Sequence, residues 1–196
     1  MKLKGVLFDL DGTIVELNLN FDRLREELNI KERFILEAIY RLNGDDKKKA
    51  LNRLKEIEME SAINSVLMPG VKDVFEFLKD NKIKTGIVTR NCREAVDIIL
   101  QKHGLDVGCV ITREDAPPKP SPEPIRFALK KLSLAPENSI YVGDFLFDIL
   151  AGKNAGVKTV LILNDRNKEF EELADISVNS MEELIGVIGR MLNSDS

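Results

Sequence analysis

The stretch VLFDLDGTIVE, residues 6–16, runs apolar as far as Phe8 and then sets Asp9 and Asp11 a single residue apart. One buried carboxylate is costly, and two this close resist ionising together. On an extended segment, residues two apart share a side, so both aspartates face whatever lies beyond the strand's end. The plain reading is that Asp11-Gly12 only makes a turn, with the Asp side chain bonded to its own backbone. The functional reading requires the rest of the chain to bring compensating groups to the same place.

The bounds are those of an ordinary soluble protein. A chain of 196 residues can build one domain with a sizeable core, or one domain carrying a smaller insert. Hydrophobic residues make up 43% and charged residues 32%, a globular profile. A formal net charge of -4 argues against a general nucleic-acid binder, which concentrates Lys and Arg against the phosphate backbone. It leaves a small phosphorylated metabolite open, because such a ligand answers to local charge. No apolar run approaches a membrane span, and the first residues reach Asp9 before a signal-peptide core can form. The expectation is a cytoplasmic protein with no nucleic-acid or membrane partner, as a monomer or small homo-oligomer. Cys92 and Cys109 have neither metal nor redox spacing and read as reduced core residues.

Along the chain the organisation is a strand, a helical block, then alternating strands and helices. Residues 6–8 read as a short buried strand. From Phe21 to about Val66 the pattern is helical and densely charged. Phe21, Leu24 and Leu28 form one apolar face, and Phe34, Ile35, Ile39 and Leu42 a second that Asn43-Gly44 ends. Asp45-Asp46 caps a third helix with the face Leu51, Leu54, Ile57 and Met59. Pro69-Gly70 then punctuates the chain. Helices follow at 71–78, 94–102, 122–132 and from near Asp148 to Gly156, with strands at 83–89, 109–112, 139–143, 158–163 and 176–178. Ser180-Met181-Glu182-Glu183 reads as a capping box opening the last helix. Alternation of this kind implies an α/β fold with a doubly wound parallel sheet. Residues 1–16 and 70–196 then form the core, and 17–69 an all-helical insert after the first strand.

In such sheets ligands bind beyond the carboxyl ends of the strands. The first strand ends in Asp9 and Asp11, the 83–89 strand in Thr89, Arg90 and Asn91. The 109–112 strand leads into a loop holding Lys119, and the 139–143 strand ends at Asp144, with Asp148 four residues on. Four carboxylates, a hydroxyl and a lysine therefore converge on one rim. Such a cluster needs a compensating cation, and oxygen donors without nearby His or Cys suit Mg²⁺. A phosphate dianion entering the rim needs that metal, Lys119 and backbone N–H groups.

DLDGT at 9–13, IVTRN at 87–91, KPSPEP at 119–124 and GDFLFD at 143–148 resemble, in order and spacing, the four motifs of the haloacid dehalogenase-like phosphohydrolase superfamily. The helical insert resembles that family's C1-type cap. The resemblance implies a Rossmann-like core and a Mg²⁺-dependent phosphatase, similar to phosphoglycolate phosphatase and β-phosphoglucomutase-like hydrolases, working on a small phosphomonoester such as phosphoglycolate, a sugar phosphate or a nucleotide. It implies Asp9 as the nucleophile that forms an aspartyl-phosphate, and Asp11 as the acid and base. It further implies metal held by Asp9, the Asp11 carbonyl and Asp144, with Asp148 orienting metal-bound water or Lys119. Substrate would meet Gly12, Thr89, Arg90, Asn91 and Lys119. A phosphomutase of the same superfamily is the nearest alternative, and a receiver-like phosphorylation switch the alternative from another class.

Some residues carry competing readings. His103 before Gly104 reads as a cation at a helix C-terminus. Arg23 and Arg25 open the insert, where one of them could reach the non-phosphate part of an anionic substrate; a solvated helix face is the plainer reading. The stretch Val15-Glu16-Leu17-Asn18 departs from the Asp-Ser that many C1-cap relatives carry shortly after DGT, so their substrates do not carry over to this chain, while the core chemistry is untouched.

Overall fold

The computed structural model describes residues 2–193; residues 1 and 194–196 of the expected core segments lie outside it. The first strand, β1 (Gly5–Phe8), is buried at every position, as a strand covered on both faces must be. Three helices follow: α1 (Phe21–Glu27), α2 (Ile35–Arg41) and α3 (Gly44–Ile63). The alternating part runs α4 (Val71–Asp80), β2 (Lys84–Val88), α5 (Arg93–His103), β3 (Cys109–Ile111), α6 (Glu123–Leu132) and β4 (Ser139–Gly143). It ends with α7 (Leu146–Ala155), β5 (Lys158–Ile162), β6 (Ile176–Val178) and α8 (Met181–Asn193).

The strands form one parallel sheet in the order β3-β2-β1-β4-β5-β6, a doubly wound α/β arrangement. Side-chain alternation divides the core in two. Val6 and Phe8 share one cluster with Val74 and Leu78 of α4, Ile99 of α5 and Leu184 of α8. Leu7 and Tyr141 share the other with Ile125 and Leu129 of α6 and Ala151 of α7. The insert has its own cluster, built on Leu24, Ile30, Ile39 and Leu54. The chain enters and leaves the insert side by side: the Glu16 N–H donates to the Val66 carbonyl (2.9 Å) and the Met68 N–H to the Ile14 carbonyl (2.9 Å). That tie sets the helices above the strand ends that carry Asp9.

Local expectations are corrected at three places, the α3 start, the α3 stripe and the α8 box. α3 opens at Gly44, not at the aspartate pair, so Asp45 and Asp46 lie inside its first turn, where they meet the helix dipole rather than cap it. Its buried stripe is Ala50, Leu54, Glu58 and Ala62, with Leu51 and Ile57 only partly covered. α7 begins near Asp148 as expected, and the Asp148 carboxylate reaches back to the Phe145 N–H at 3.0 Å, capping the helix. At α8, Ser180 Oγ accepts from the Glu183 N–H (3.2 Å), but the Glu183 carboxylate takes the Asn179 N–H (2.8 Å) rather than closing a box on Ser180. Among the described residues, no helix is long and apolar enough to cross a membrane.

Candidate active site

Strand register assembles the site. Phe8 lies level with Ile87 on β2 and Val142 on β4, so Asp9, Thr89 and Asp144 leave the sheet within a residue or so of one another. Asp9 is fixed by its N–H on the Val142 carbonyl (2.8 Å), and Thr89 by its N–H on the Ile111 carbonyl (2.9 Å). The chain then folds tightly, with the Ile14 and Val15 N–H groups both on the Leu10 carbonyl. Gly12 makes this turn at φ +86°, and a Cβ there would overlap the Asp144 carboxylate. Glycine is required twice over. Gly143 is likewise backed by Asp148, with no room for a Cβ.

Lys119, on the loop between β3 and α6, ties the carboxylates together. Its ammonium donates to Asp9 Oδ1 (2.6 Å), Asp148 Oδ1 (2.6 Å) and the Tyr141 hydroxyl (2.7 Å), while the side chain is 2% exposed. The hydroxyl in turn donates to the Val88 carbonyl at 2.9 Å. Tyr141 gave no functional signal in the sequence because it occupies a core position of a buried strand; its oxygen is what matters.

One ammonium does not balance the acids. Burial and the Asp148 charge push Asp9 up to about 7 despite Lys119. Burial, then Asp148 and Asp9, push Asp144 up to about 8. Burial also raises Asp11, although Asn91 Nδ2 donates to its Oδ2 at 3.0 Å. Burial opposes the charge on Lys119, yet Asp148 and Asp9 hold it above its ordinary value, as a charged ammonium. Carboxylate oxygens of Asp9, Asp144 and Asp148 lie within 4.8 Å of one another. This donor set, all oxygen and short of positive charge, fits a hard dication.

Asn91 also accepts the Cys92 N–H (2.8 Å), and Thr89 Oγ1 accepts the Asn91 N–H (3.0 Å), so the β2 loop is held from within. Arg90 turns toward the insert: it grips both oxygens of Glu37 on α2 (2.7 and 2.8 Å), donates to the Lys119 carbonyl (2.6 Å) and lies over the Phe147 ring. Arg25 lines the cavity and pairs with Asp22, whereas Arg23 pairs with Glu27 away from it. His103 shares a hydrogen bond with Ser65 Oγ (2.9 Å); burial and Lys102 lower its pKa, so it is a neutral ring rather than the expected cation. Cys92 and Cys109 are free, buried thiols pushed up to about 12 and about 11 by burial, which makes them unreactive.

Two further supports come from outside the motifs. Glu58 of α3 forms a buried ion pair with Arg113 (2.5 Å), which also donates to the Arg90 carbonyl (3.1 Å). A carboxylate within the i, i+4 apolar stripe of α3 was a visible signal for it. Asn167 is buried and donates to the carbonyls of Asp144 (2.7 Å) and Ile162 (2.8 Å), pinning the Asp144 loop to β5. The cavity above the carboxylates holds about 420 Å³.

The haloacid dehalogenase-like hydrolase family model matches residues 6–162. A hydrolase of Saccharomyces cerevisiae is 31% identical, covering 96% of this chain and 92% of its own. The pyrophosphatase PpaX of Oceanobacillus iheyensis is 29% identical over 96% of this chain and 98% of its own. The crystal structure of a HAD phosphatase from Thermococcus onnurineus superposes with a TM-score of 0.72 at 27% identity, covering 95% of this chain and 98% of that one. With its motifs at the ends of adjacent parallel strands and its length matched almost throughout, this chain belongs to the haloacid dehalogenase-like hydrolases.

Proposed function

We propose that this enzyme is a Mg²⁺-dependent phosphatase that hydrolyses a small phosphorylated metabolite in the cytoplasm through an aspartyl-phosphate. The observation that carries the reading is the clustering of Asp9, Asp144 and Asp148, with Asp11 beside them, around a single ammonium, that of Lys119, which bonds Asp9 and Asp148. Asp9, Asp144 and the Asp11 carbonyl would hold the ion. When bound, it supplies the positive charge that keeps Asp9 and Asp144 ionised and offsets the charge of a phosphoryl group.

The side chains divide the work. An oxygen of Asp9 forms a bond to phosphorus as the ester P–O bond breaks, and Asp11 gives its proton to the departing alkoxide. Burial raises Asp11, so it carries that proton at a pH where an ordinary carboxyl has lost it. Asp11 then takes a proton from water, whose oxygen attacks phosphorus and releases inorganic phosphate and the Asp9 carboxylate. Lys119 holds Asp9 in place and offsets charge on both partners. Thr89, at the strand end beside Asp9, would meet a phosphate oxygen, whereas the expected Gly12 N–H contact is not available because that N–H already donates to the Val15 carbonyl (2.7 Å).

The name of the Oceanobacillus relative favours a second reading, with pyrophosphate as substrate. A phosphomutase would use the same core groups and isomerise a bisphosphorylated sugar without free phosphate. The test is phosphate release from a panel of phosphomonoesters and pyrophosphate, with Mg²⁺ and with EDTA, beside the Asp9→Asn variant. Release that needs both Mg²⁺ and Asp9 is the expected result. Full activity in EDTA or in Asp9→Asn refutes the mechanism.

A further inference from the structure

We infer that the outer part of the active-site cavity receives an apolar alcohol moiety, so that the preferred substrate is a phosphomonoester of an aliphatic or aromatic alcohol. This rests on the phosphatase reading above, which places the phosphate on the carboxylate floor. The wall facing that floor is apolar from three directions. Leu24, Leu36 and Leu54 come from α1, α2 and α3, Phe34 stands at the start of α2, and Phe145 and Phe147 come from the loop and helix after Asp144. Phe34 and Phe147 pack with ring centroids 4.8 Å apart, and Phe145 and Phe147 5.3 Å apart, which closes that side of the cavity with rings.

Arg33, exposed at the edge of the wall, lies over the Phe34 ring 5.6 Å from its centroid, and the more deeply set polar groups are already engaged. Arg90 is held by Glu37 and the Lys119 carbonyl, Glu58 by Arg113 and the Cys92 N–H, and Arg25 by Asp22. Among the inner leucines and rings, a carboxylate, a second phosphate or a run of hydroxyls would lose its water and break one of these pairs to replace it, the exposed Arg33 serving only the outer edge. An alkyl or aryl group loses nothing and gains burial. The cavity, about 420 Å³, is at the small end for ligand pockets and suits such a moiety. The departure from relatives at residues 15–18 belongs to the same picture, since Leu17 also lines this wall.

The test uses alkyl phosphates from ethyl to hexyl, a series in which the leaving alcohol hardly changes in reactivity, beside glycerol phosphate, phosphoglycolate and pyrophosphate. Each methylene that fits should raise kcat/KM by about fourfold, and hexyl phosphate should exceed ethyl phosphate and every polar substrate at least tenfold. Phe34→Ala should flatten the chain-length slope. In parallel, calorimetry with Mg²⁺-loaded protein compares ethylphosphonate with hexylphosphonate, which cannot be hydrolysed. Hydrolysis that ignores chain length, or favours a polar substrate, overturns the inference and leaves the phosphatase reading standing. Tighter binding of hexylphosphonate without hydrolysis of any ester supports the inference and overturns the phosphatase reading. Neither hydrolysis nor a chain-length effect on binding overturns both.

Discussion

Replacing Lys119 by methionine isolates the charge balance of the site. Methionine fills nearly the same volume, so little cavity is created and the loss is that of the ammonium. In the native protein that ammonium is 2% exposed and bonded to Asp9, Asp148 and Tyr141 at 2.6, 2.6 and 2.7 Å. Removing one partner of a buried ion pair leaves an uncompensated charge, at about 3–5 kcal/mol. Protonation relieves part of this, which makes the cost depend on pH. Asp9 already titrates near 7 with Lys119 beside it, and without the ammonium it rises further. Above pH 7 the variant's native state therefore binds more protons than the wild-type native state, while the unfolded chains are alike. Stability falls with pH wherever the native state holds the extra proton, by about 1.4 kcal/mol per pH unit for one proton. The variant should be about 2 kcal/mol less stable than wild type at pH 6, from the lost hydrogen bonds, and about 4 kcal/mol less stable at pH 8.5. Urea unfolding in EDTA at the two pH values measures the difference. A gap that stays constant, or narrows, as pH rises refutes the charge argument.

Three other perturbations test other parts of the site. The metal-free wild type should itself lose stability, by up to about 5 kcal/mol, between pH 5.5 and 8, because Asp9 and Asp144 titrate near 7 and 8 when folded and near 4 when unfolded. The native state then holds the extra protons, so its advantage is present at low pH and lost as pH rises; Mg²⁺ should raise the melting temperature more at pH 8 than at pH 5.5. Asn167→Ala leaves the Asp144 and Ile162 carbonyls without their donor and should cost about 1–3 kcal/mol in urea unfolding, together with weaker Mg²⁺ binding by calorimetry. Glu58→Leu and Arg113→Leu should each cost about 3–5 kcal/mol, while the double variant recovers most of it, since a buried pair is exchanged for apolar contact; equal losses in all three would show that the pair is not the unit.

How far the sequence could be read follows from where each interaction gets its partner. Asp9, Thr89, Asp144 and Lys119 were legible because a parallel sheet brings its carboxyl ends together whatever the helices do, and a residue's place in a motif is also its place on the rim. Strands 139–143 and 176–178 were legible for a similar reason: their apolar runs are bounded by turn residues. The aspartates at 45 and 46 misled because a helix start is decided by one backbone conformation, and Gly44 took it. Arg90 shows the limit more sharply. Its place beside Thr89 implied a backbone near a bound phosphate, but the side chain's partner, Glu37, lies 53 residues away on the insert. No local pattern records how a helical insert sits on its sheet.

That placement also explains why the acids are tolerable in this fold. Asp9 and Asp148 are held by backbone and by Lys119, Asp144 by Asn167 on its carbonyl, and Gly12 and Gly143 let them approach closer than any residue with a Cβ would allow. The close packing raises Asp9 and Asp144 toward neutrality, so the site without a cation sits at the edge of protonation. Stability and ion binding are then coupled through the same carboxylates. A change that loosened the cluster, such as an alanine at Gly12, would relieve the charge strain only by separating the groups that must converge on one phosphate.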